Sequence, residues 1–191
     1  FGGFLWKKKI DLLNYLEIID SFKKYLCGNN IQTCTIKNPP FLYNKMPNEE
    51  TEYSLIKSGF RVTNISISNI IDLNEFEFKK ISETKKRSIK KSSDNIDVRI
   101  IEGMIDENNF REFYKILLEN RELKNVNPTH SMEELIYLKN HLIKEIILFT
   151  AYLGAELAAV CVLFCINKDM ILNFYLAGDD KYKADAVSEY I

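Results

Sequence analysis

The sequence predicts an α+β fold in which a largely antiparallel sheet is flanked by helices. Three apolar, β-rich segments follow one another closely: residues 146–153, 157–166 and 170–177. Their connections, Gly154-Ala155-Glu156 and Asn167-Lys168-Asp169, are short enough only for antiparallel hairpins. Amphipathic helical patterns precede the three strands, and a polar break with a helix start follows them at residues 177–180.

The other elements are predicted from periodicity and from helix start and stop signals. Helices are expected over residues 10–26, 49–58, 76–94 and 109–125, and strands over 31–36, 60–69 and 98–101. Gly28-Asn29-Asn30 should end the first helix, since Gly and Asn tolerate the left-handed conformation. A further helix opens at Ser131, where Ser131 and Glu134 form a capping box.

Composition limits the classes of function. The 191 residues are 46% hydrophobic, which is ample for a buried core. Because 26 basic residues balance 27 acidic ones, global charge gives no argument for DNA or a membrane surface, and any anionic partner needs a local basic patch. The longest apolar run, residues 157–166, is too short to span a bilayer.

The cysteines and the first residue of the sequence lead to two further expectations. We expect all four cysteines to be reduced packing thiols, which is typical of a cytoplasmic protein; they are Cys27, Cys34, Cys161 and Cys165. The chain opens on Phe1 without an initiator Met, so we expect it to be part of a longer protein.

The order of the predicted elements resembles a known fold. From residue 95 onward it is strand, helix, helix, three antiparallel strands and a helix, as in the first two-thirds of the N-acetyltransferase-like (GNAT) fold. The preceding helix, strand, helix and strand resemble the last third of the same fold. We therefore expect parts of two tandem GNAT-like domains: residues 1–76 from a first domain, a basic connecting helix over 77–94, and residues 95–191 from a second domain.

Several segments resemble the FemAB-like (BioF2-like) acyltransferases of this fold. They are residues 1–4 (FGGF), 36–43 (IKNPPFLY), 59–60 (GF), 86–91 (KRSIKK), 128–135 (PTHSMEEL) and 174–177 (FYLA). The resemblance implies transfer of an acyl or aminoacyl group to an amine or hydroxyl of a cell-envelope precursor or a related small molecule. It implies a small-molecule or lipid-linked acceptor, with transfer RNA as one donor. The alternative is a non-catalytic GNAT-like binding or scaffold module for an anionic partner.

The expected cofactor position is unusual. A coenzyme A-dependent GNAT needs a glycine-rich turn whose N–H groups bind the pyrophosphate at a helix start. Here Gly178 is followed by Asp179 and Asp180, whose charges repel a pyrophosphate, although they are equally good helix caps. Acyl-CoA is therefore disfavoured in the second copy, which leaves aminoacyl-tRNA or another activated acyl donor. Gly2 and Gly3 suit close backbone approach better and are the candidate cofactor-binding residues.

Two groups of basic residues are candidate substrate-binding sites. The first is the basic helix, where Arg87, Lys90 and Lys91 are the chosen residues and Arg87 offers a planar fork for phosphate or carboxylate. The alternative is an ordinary solvated face. The second group is Asn120, Arg121 and Lys124, in and around a loop between two helices.

His130 and Tyr175 are the candidate catalytic residues. Histidine exchanges protons near neutral pH, so His130 suits a general base, although a structural role before a helix cap is the alternative. Tyr175 faces either the core or the cleft. His141 lies on an apolar helical stripe and is expected in the core. The sequence contains no metal-ligand spacing, no nucleophile elbow and no phosphate-binding loop signature.

Overall fold

The structure, a computed structural model, describes residues 2–44, 48–93, 95–185 and 187–191, without the side chains of residues 91–93, 184–185 and 189–190. The chain divides into two compact units, Phe1–Ile71 and Asp72–Ile191. The predicted α+β class is confirmed: helices flank a four-stranded antiparallel sheet.

The first unit is built from two helices and a short 3-10 turn. They are α1 (Leu12–Gly28), the turn Phe41–Tyr43 and α2 (Glu50–Lys57). The Asp11 side chain caps α1 by accepting the backbone N–H of Asn14 at 3.0 Å. Asn30 has a φ of 57°, so the predicted stop at residues 28–30 is confirmed.

Aromatic packing forms the centre of the first unit. Trp6 meets Tyr15 edge-to-face at 4.7 Å and stacks on Phe4 at 5.7 Å. The Trp6 indole N–H donates to the Thr51 hydroxyl at 3.4 Å, which ties this packing to α2. Tyr15 and Ile19 are the buried residues of α1.

The two strands predicted in this unit are wrong. Residues 31–36 and 60–69 are in no strand, and no described segment pairs with them. Ile65 and Ile67, which alternation would place on a buried face, are 83% and 92% exposed. Alternation gives a segment an apolar face, but a β-strand also needs a neighbouring strand with which to form backbone hydrogen bonds.

The second unit holds the remaining elements. Its helices are α3 (Glu83–Ser93), α4 (Glu107–Glu122), α5 (Met132–His141) and α6 (Val187–Tyr190), with 3-10 turns at Phe78–Lys80 and Asp180–Asp185. Its strands are β1 (Ile96–Ile101), β2 (Ile146–Leu153), β3 (Glu156–Asn167) and β4 (Met170–Gly178). The three apolar strands therefore fall where the sequence predicts them, each within a residue at either end.

The sheet follows chain order, β1-β2-β3-β4, and every neighbouring pair is antiparallel. Both predicted hairpins are confirmed. Register shifts occur between Ala151 and Tyr152 in the β2–β3 pair, and between Val162 and Leu163 in the β3–β4 pair. The second shift leaves Phe174 as an extra residue, because Val162 pairs with Tyr175 whereas Leu163 pairs with Asn173.

Helices cover the two faces of the sheet unequally. On one face α4 and α5 bury the main core, with Phe110, Phe113, Leu117 and Leu135 packed against strand residues such as Leu148 and Val162. On the opposite face Val187 of α6 packs on Ala151 and Ala159. The main core therefore lies between α4, α5 and the sheet.

The basic helix is shorter than predicted. Residues 76–94 divide into the turn Phe78–Lys80 and α3, with Ile81 extended between them. The Ser82 hydroxyl accepts the backbone N–H of Lys85 at 3.4 Å, as a helix cap does. This local hydrogen bond restarts the helix at Glu83.

The cysteines are all unpaired, as expected, but they differ in environment. Cys161 is buried, and burial raises the pKa of its thiol to about 11. Cys27 is exposed, so the expectation that it is a packing thiol is wrong. Within the described ranges, no helix is long and apolar enough to cross a membrane.

Candidate functional site

Six residues between α4, the α4–α5 loop and the sheet form what we call the His130 cluster. They are Tyr114, Arg121, His130, Phe164, Phe174 and Tyr175. The sequence predicts three of them, His130, Tyr175 and Arg121, as site residues, and the fold brings these three together. The sequence assigns no role in the site to the other three.

A polar pair lies at the centre of the cluster. The Tyr175 hydroxyl accepts the backbone N–H of His130 at 3.2 Å and lies 3.2 Å from the same residue's Nδ1. The hydroxyl oxygen has two lone pairs, so it can accept both groups when Nδ1 carries the proton. In that tautomer Nε2 is unprotonated and suited to take up a proton. Tyr175 is 3% exposed, whereas His130 is half-buried.

The loop that carries His130 is held on both sides. The Tyr114 hydroxyl donates to the His130 carbonyl oxygen at 3.0 Å. Burial, followed by the charges of Tyr175, Glu133 and Glu134, raises the pKa of Tyr114, so its hydroxyl stays a donor. The capping box predicted at Ser131 is confirmed, with Ser131 Oγ 3.2 Å from the backbone nitrogen of Glu134. The imidazole therefore has a defined position between a phenol and a helix start.

The extra residue in β4 places two aromatic rings beside His130. Phe174 lies 5.3 Å from the imidazole and Tyr175 lies 6.1 Å from it, measured between ring centres. Consecutive strand residues normally point to opposite faces, but a bulge lets both turn toward the same one. Phe164 stacks on Phe174 at 4.6 Å and completes the apolar wall.

Arg121 brings a positive charge to the cluster. Its guanidinium carbon lies 5.3 Å from the centre of the Tyr175 ring. Its Nε is buried, and within the described residues it has no hydrogen-bond partner. A buried N–H without an acceptor costs free energy, so this nitrogen marks an unfilled polar position.

Two adjoining clefts, of about 340 and 400 Å³, open between the end of α4 and the end of β4. Both are lined by Asn120, Leu123, Gly178, Asp179 and Asp180. The Asn120 side chain donates to the Gly178 carbonyl at 3.3 Å and accepts from Lys124 Nζ at 3.0 Å. Asn120 and Lys124 therefore join α4 to β4 at the cleft wall. Tyr175 is three strand residues from Gly178, roughly 10 Å away.

The clefts are mainly acidic. Glu119, Glu122, Asp179 and Asp180 line them, against the cations of Lys124 and Lys183. The backbone N–H of Asp179 donates to the Ala158 carbonyl at 2.9 Å, and its carboxylate accepts the backbone N–H of Lys181 at 2.9 Å. Asp179 therefore acts as a turn cap and has no free amide for a phosphate. Both features oppose pyrophosphate binding at this position.

Gly2 and Gly3 lie in the first unit and are engaged there. The Gly2 N–H donates to the Lys37 carbonyl at 2.9 Å. A Cβ at Gly3, whose φ is 139°, would lie 3.1 Å from Asn38 Oδ1. The close backbone approach that the sequence predicts is therefore made by the chain's own residues 37–38. The pair also precedes the start of α1 by several residues, so this geometry gives no support to a cofactor-binding role.

The basic helix is partly neutralised by its own acids. Lys79 and Lys80 pair with Glu77 at 2.5 and 2.7 Å, and Lys86 pairs with Glu83 at 2.7 Å. Arg87 and Lys90 are exposed on α3, and the side chain of Lys91 lies outside the described residues. Both residues lie on α3, whereas the His130 cluster lies on α4, the α4–α5 loop and the sheet.

Two polar residues of α5 are missed by the sequence patterns. Lys139 is 4% exposed and donates to the carbonyls of Ile143 and Ile146 at 3.0 and 2.8 Å. Asn140 pairs in both directions with the backbone of Ile105, each time at 2.8 Å. A lysine on an apolar stripe gives no distinct signal, because its stem packs like an apolar side chain.

The core position expected for His141 is wrong. His141 is exposed at the end of α5, where its ring stacks on Tyr137 at 3.9 Å. The buried face of α5 runs through Leu135 and Lys139, and His141 lies about 200° around the helix from Lys139.

No protein-family model matches the chain, and no curated protein matches it either.

Proposed function

We propose that this protein is an acyl- or aminoacyl-transferase of the FemAB-like GNAT group, acting on an amine or hydroxyl acceptor in the cytoplasm. The observation that carries the proposal is the His130–Tyr175 pair. It holds an oriented imidazole in a half-buried position, with Arg121 over the Tyr175 ring. Two clefts open at the end of the same strand, around Gly178, roughly 10 Å from Tyr175. The strand order of the second unit agrees with the first part of a GNAT-like domain.

In the proposed reaction His130 is the general base. The acceptor nitrogen attacks the acyl carbon, a C–N bond forms, and the bond from that carbon to the donor's leaving oxygen or sulfur breaks. His130 Nε2 takes the proton that the acceptor loses, and the leaving group gains one from solvent. Tyr175 is a positioning residue, because its hydroxyl lies within hydrogen-bond distance of Nδ1 and orients the ring. The proposed reaction uses the tautomer in which Nδ1–H donates to this hydroxyl and Nε2 is unprotonated.

The acceptor and donor are proposed from the chemistry around the pair. Four carboxylates along the clefts favour an acceptor that carries an amine over a polyanionic one. The same charges argue against the pyrophosphate of acyl-CoA at this position, which leaves aminoacyl-tRNA or another activated acyl donor. The phosphates of a transfer RNA would have to bind away from these clefts, because the carboxylates repel them too. Small-molecule and lipid-linked amines of the cell envelope remain the proposed acceptor class.

The test is an acyl-transfer assay on the 191-residue chain. Aminoacyl-tRNA, acyl-carrier and acyl-CoA donors are offered with a panel of amine acceptors, and acylated products are measured by mass spectrometry. His130→Gln should lower the rate by about 10²- to 10⁴-fold, and Tyr175→Phe by a smaller factor with a shifted pH profile. His141→Gln is the matched control, because the chain has two histidines and this one is exposed. Absence of turnover with every donor, or a full rate in His130→Gln, would refute the proposal.

The alternative, an anion-binding scaffold module, has less support. Three lysines at or next to α3 are already paired with Glu77 and Glu83. Such exposed pairs weaken the local positive potential that a polyanion would need.

A further inference from the structure

We infer that Arg121 is the carboxylate-binding residue of the acceptor, and hence that the acceptor is an amino acid or a molecule bearing an amino-acid group. For its biological meaning the inference rests on the transfer reaction proposed above. Its structural basis is independent of that reaction, because it concerns an arginine whose buried Nε–H has no hydrogen-bond partner among the described residues.

A comparison of two arginines in the same unit shows what is unusual about Arg121. Arg99 lies over the Tyr152 ring at 4.5 Å and also pairs with Asp97 at 2.7 Å. Arg121 lies over the Tyr175 ring at 5.3 Å, yet within the described part of the chain no carboxylate pairs with it. Stacking is therefore common to both residues, whereas the missing anion is particular to Arg121.

Burial makes the missing partner costly. Arg121 Nε is secluded from solvent without an acceptor in the described residues, whereas Arg99 Nε donates to Asp97 at 2.8 Å. A guanidinium retains its charge at any physiological pH, so it cannot relieve this cost by losing a proton. An anion bound to the guanidinium would compensate the buried charge and order the side chain.

The surroundings favour a carboxylate over a phosphate. Glu119 and Glu122 are near Arg121 in the sequence and line one of the clefts at the end of α4, and Lys124, just after α4, donates to Asn120. One guanidinium matches one carboxylate in a planar two-point contact, whereas a phosphate dianion in an acidic environment needs further cations. The acidic clefts suit the ammonium group of the same molecule.

Arginine Nε–H signals in ¹H–¹⁵N NMR spectra give a direct test on the whole chain. Sodium acetate is titrated against sodium chloride at constant ionic strength, with inorganic phosphate and methylammonium chloride as parallel arms. Acetate should shift the Arg121 Nε–H signal saturably, with a Kd on the order of 10 mM, and leave the Arg99 signal in place. Glycine, which carries both groups, should bind more tightly than acetate.

The variants separate this inference from the proposed reaction. Arg121→Lys keeps the charge but loses the planar fork, and it should weaken acetate binding by at least about tenfold. Arg99→Lys is the matched control and should leave binding unchanged. Equal shifts at Arg99 and Arg121, or a response to phosphate without one to acetate, would overturn the inference. In the transfer assay, an unchanged acceptor KM in Arg121→Lys would also overturn the inference about Arg121, but it would leave the proposed function intact. Acetate binding without turnover by any donor would refute the function and leave this site standing.

Discussion

Lys139 of α5 is a buried cation, although lysine side chains are normally exposed to water. Its two hydrogen bonds satisfy carbonyls at the end of α5 and the start of β2. Lys139→Met keeps the stem and removes both donors, so it should lower the free energy of unfolding by about 1–3 kcal/mol. Urea unfolding near pH 7 measures this loss. Lys144→Met, at an exposed lysine of the adjoining turn, should change little.

The difference in the free energy of unfolding between wild type and Lys139→Met should change with pH in one direction. Burial lowers the pKa of Lys139 below its ordinary value of 10.5. Between the folded and unfolded pKa the unfolded chain binds more protons, so rising pH stabilises the wild type. The difference in stability between wild type and Lys139→Met should therefore grow as the pH rises from 7 toward the ordinary pKa of 10.5. A difference that shrinks over this range would contradict a lowered pKa.

The residue-scale errors of sequence reasoning have physical causes. Helical periodicity places His141 on the predicted apolar stripe of α5. In the structure the buried residues of this helix are Leu135 and Lys139. Asp106 caps α4 with Asn109 in place of the usual Glu or Gln, and this pair escapes the common capping pattern. His130 and Arg121 are predicted because they are polar residues in and around the loop between two helices, and Tyr175 because it is a polar aromatic residue on the third apolar strand. Their mutual contacts depend on tertiary packing, which no local pattern encodes.

At the scale of elements, Gly178 sets how closely α6 approaches the end of β4. A Cβ at this position would lie 3.2 Å from Ser188 Cβ and 3.4 Å from Ser188 Oγ. Gly178→Ala should therefore displace α6 and lower the free energy of unfolding by about 1–3 kcal/mol. Thermal or urea unfolding measures the loss. Ser188→Gly should recover most of it in the double variant, because the clashing atoms are gone. An equal cost in both backgrounds would exclude steric contact with Ser188 as the cause.

Whether an element could be predicted depended on where its hydrogen bonds are made. The helices and hairpins of the second unit satisfy their backbone locally or with the next segment in sequence, so pattern and turn length were enough. Residues 31–36 and 60–69 have strand-like patterns but no described neighbour to complete a ladder. The bulge at Phe174 needs the β3–β4 register, which the sequence of β4 alone does not contain. The aromatic part of the site follows from that bulge and was therefore missed.

At the scale of the whole molecule, the boundary between the two compact units falls between Ile71 and Asp72 in the sequence. The sequence predicts a boundary nearby, at residue 76. The assignment of each unit to part of a GNAT-like domain stays a prediction. Every residue of the His130 cluster and of both clefts belongs to the second unit. The candidate site therefore depends on the packing of α4, α5 and the sheet, and this dependence can be tested by cutting the chain.

Apart from cuts within the first unit, such as at Leu5, which is 92% exposed, limited chymotrypsin digestion should cut early at Leu73 or Phe76. These residues are 76% and 48% exposed in a segment without regular structure, whereas Phe110 and Phe113, at 0% and 1%, are internal controls that require unfolding before cleavage. Mass spectrometry of early products identifies the site, and early cleavage inside α4 or the sheet would contradict the unit boundary. NMR of the cut protein should retain the sheet and the acetate response of Arg121. Loss of the acetate response with the sheet signals retained would contradict an anion site contained in the second unit.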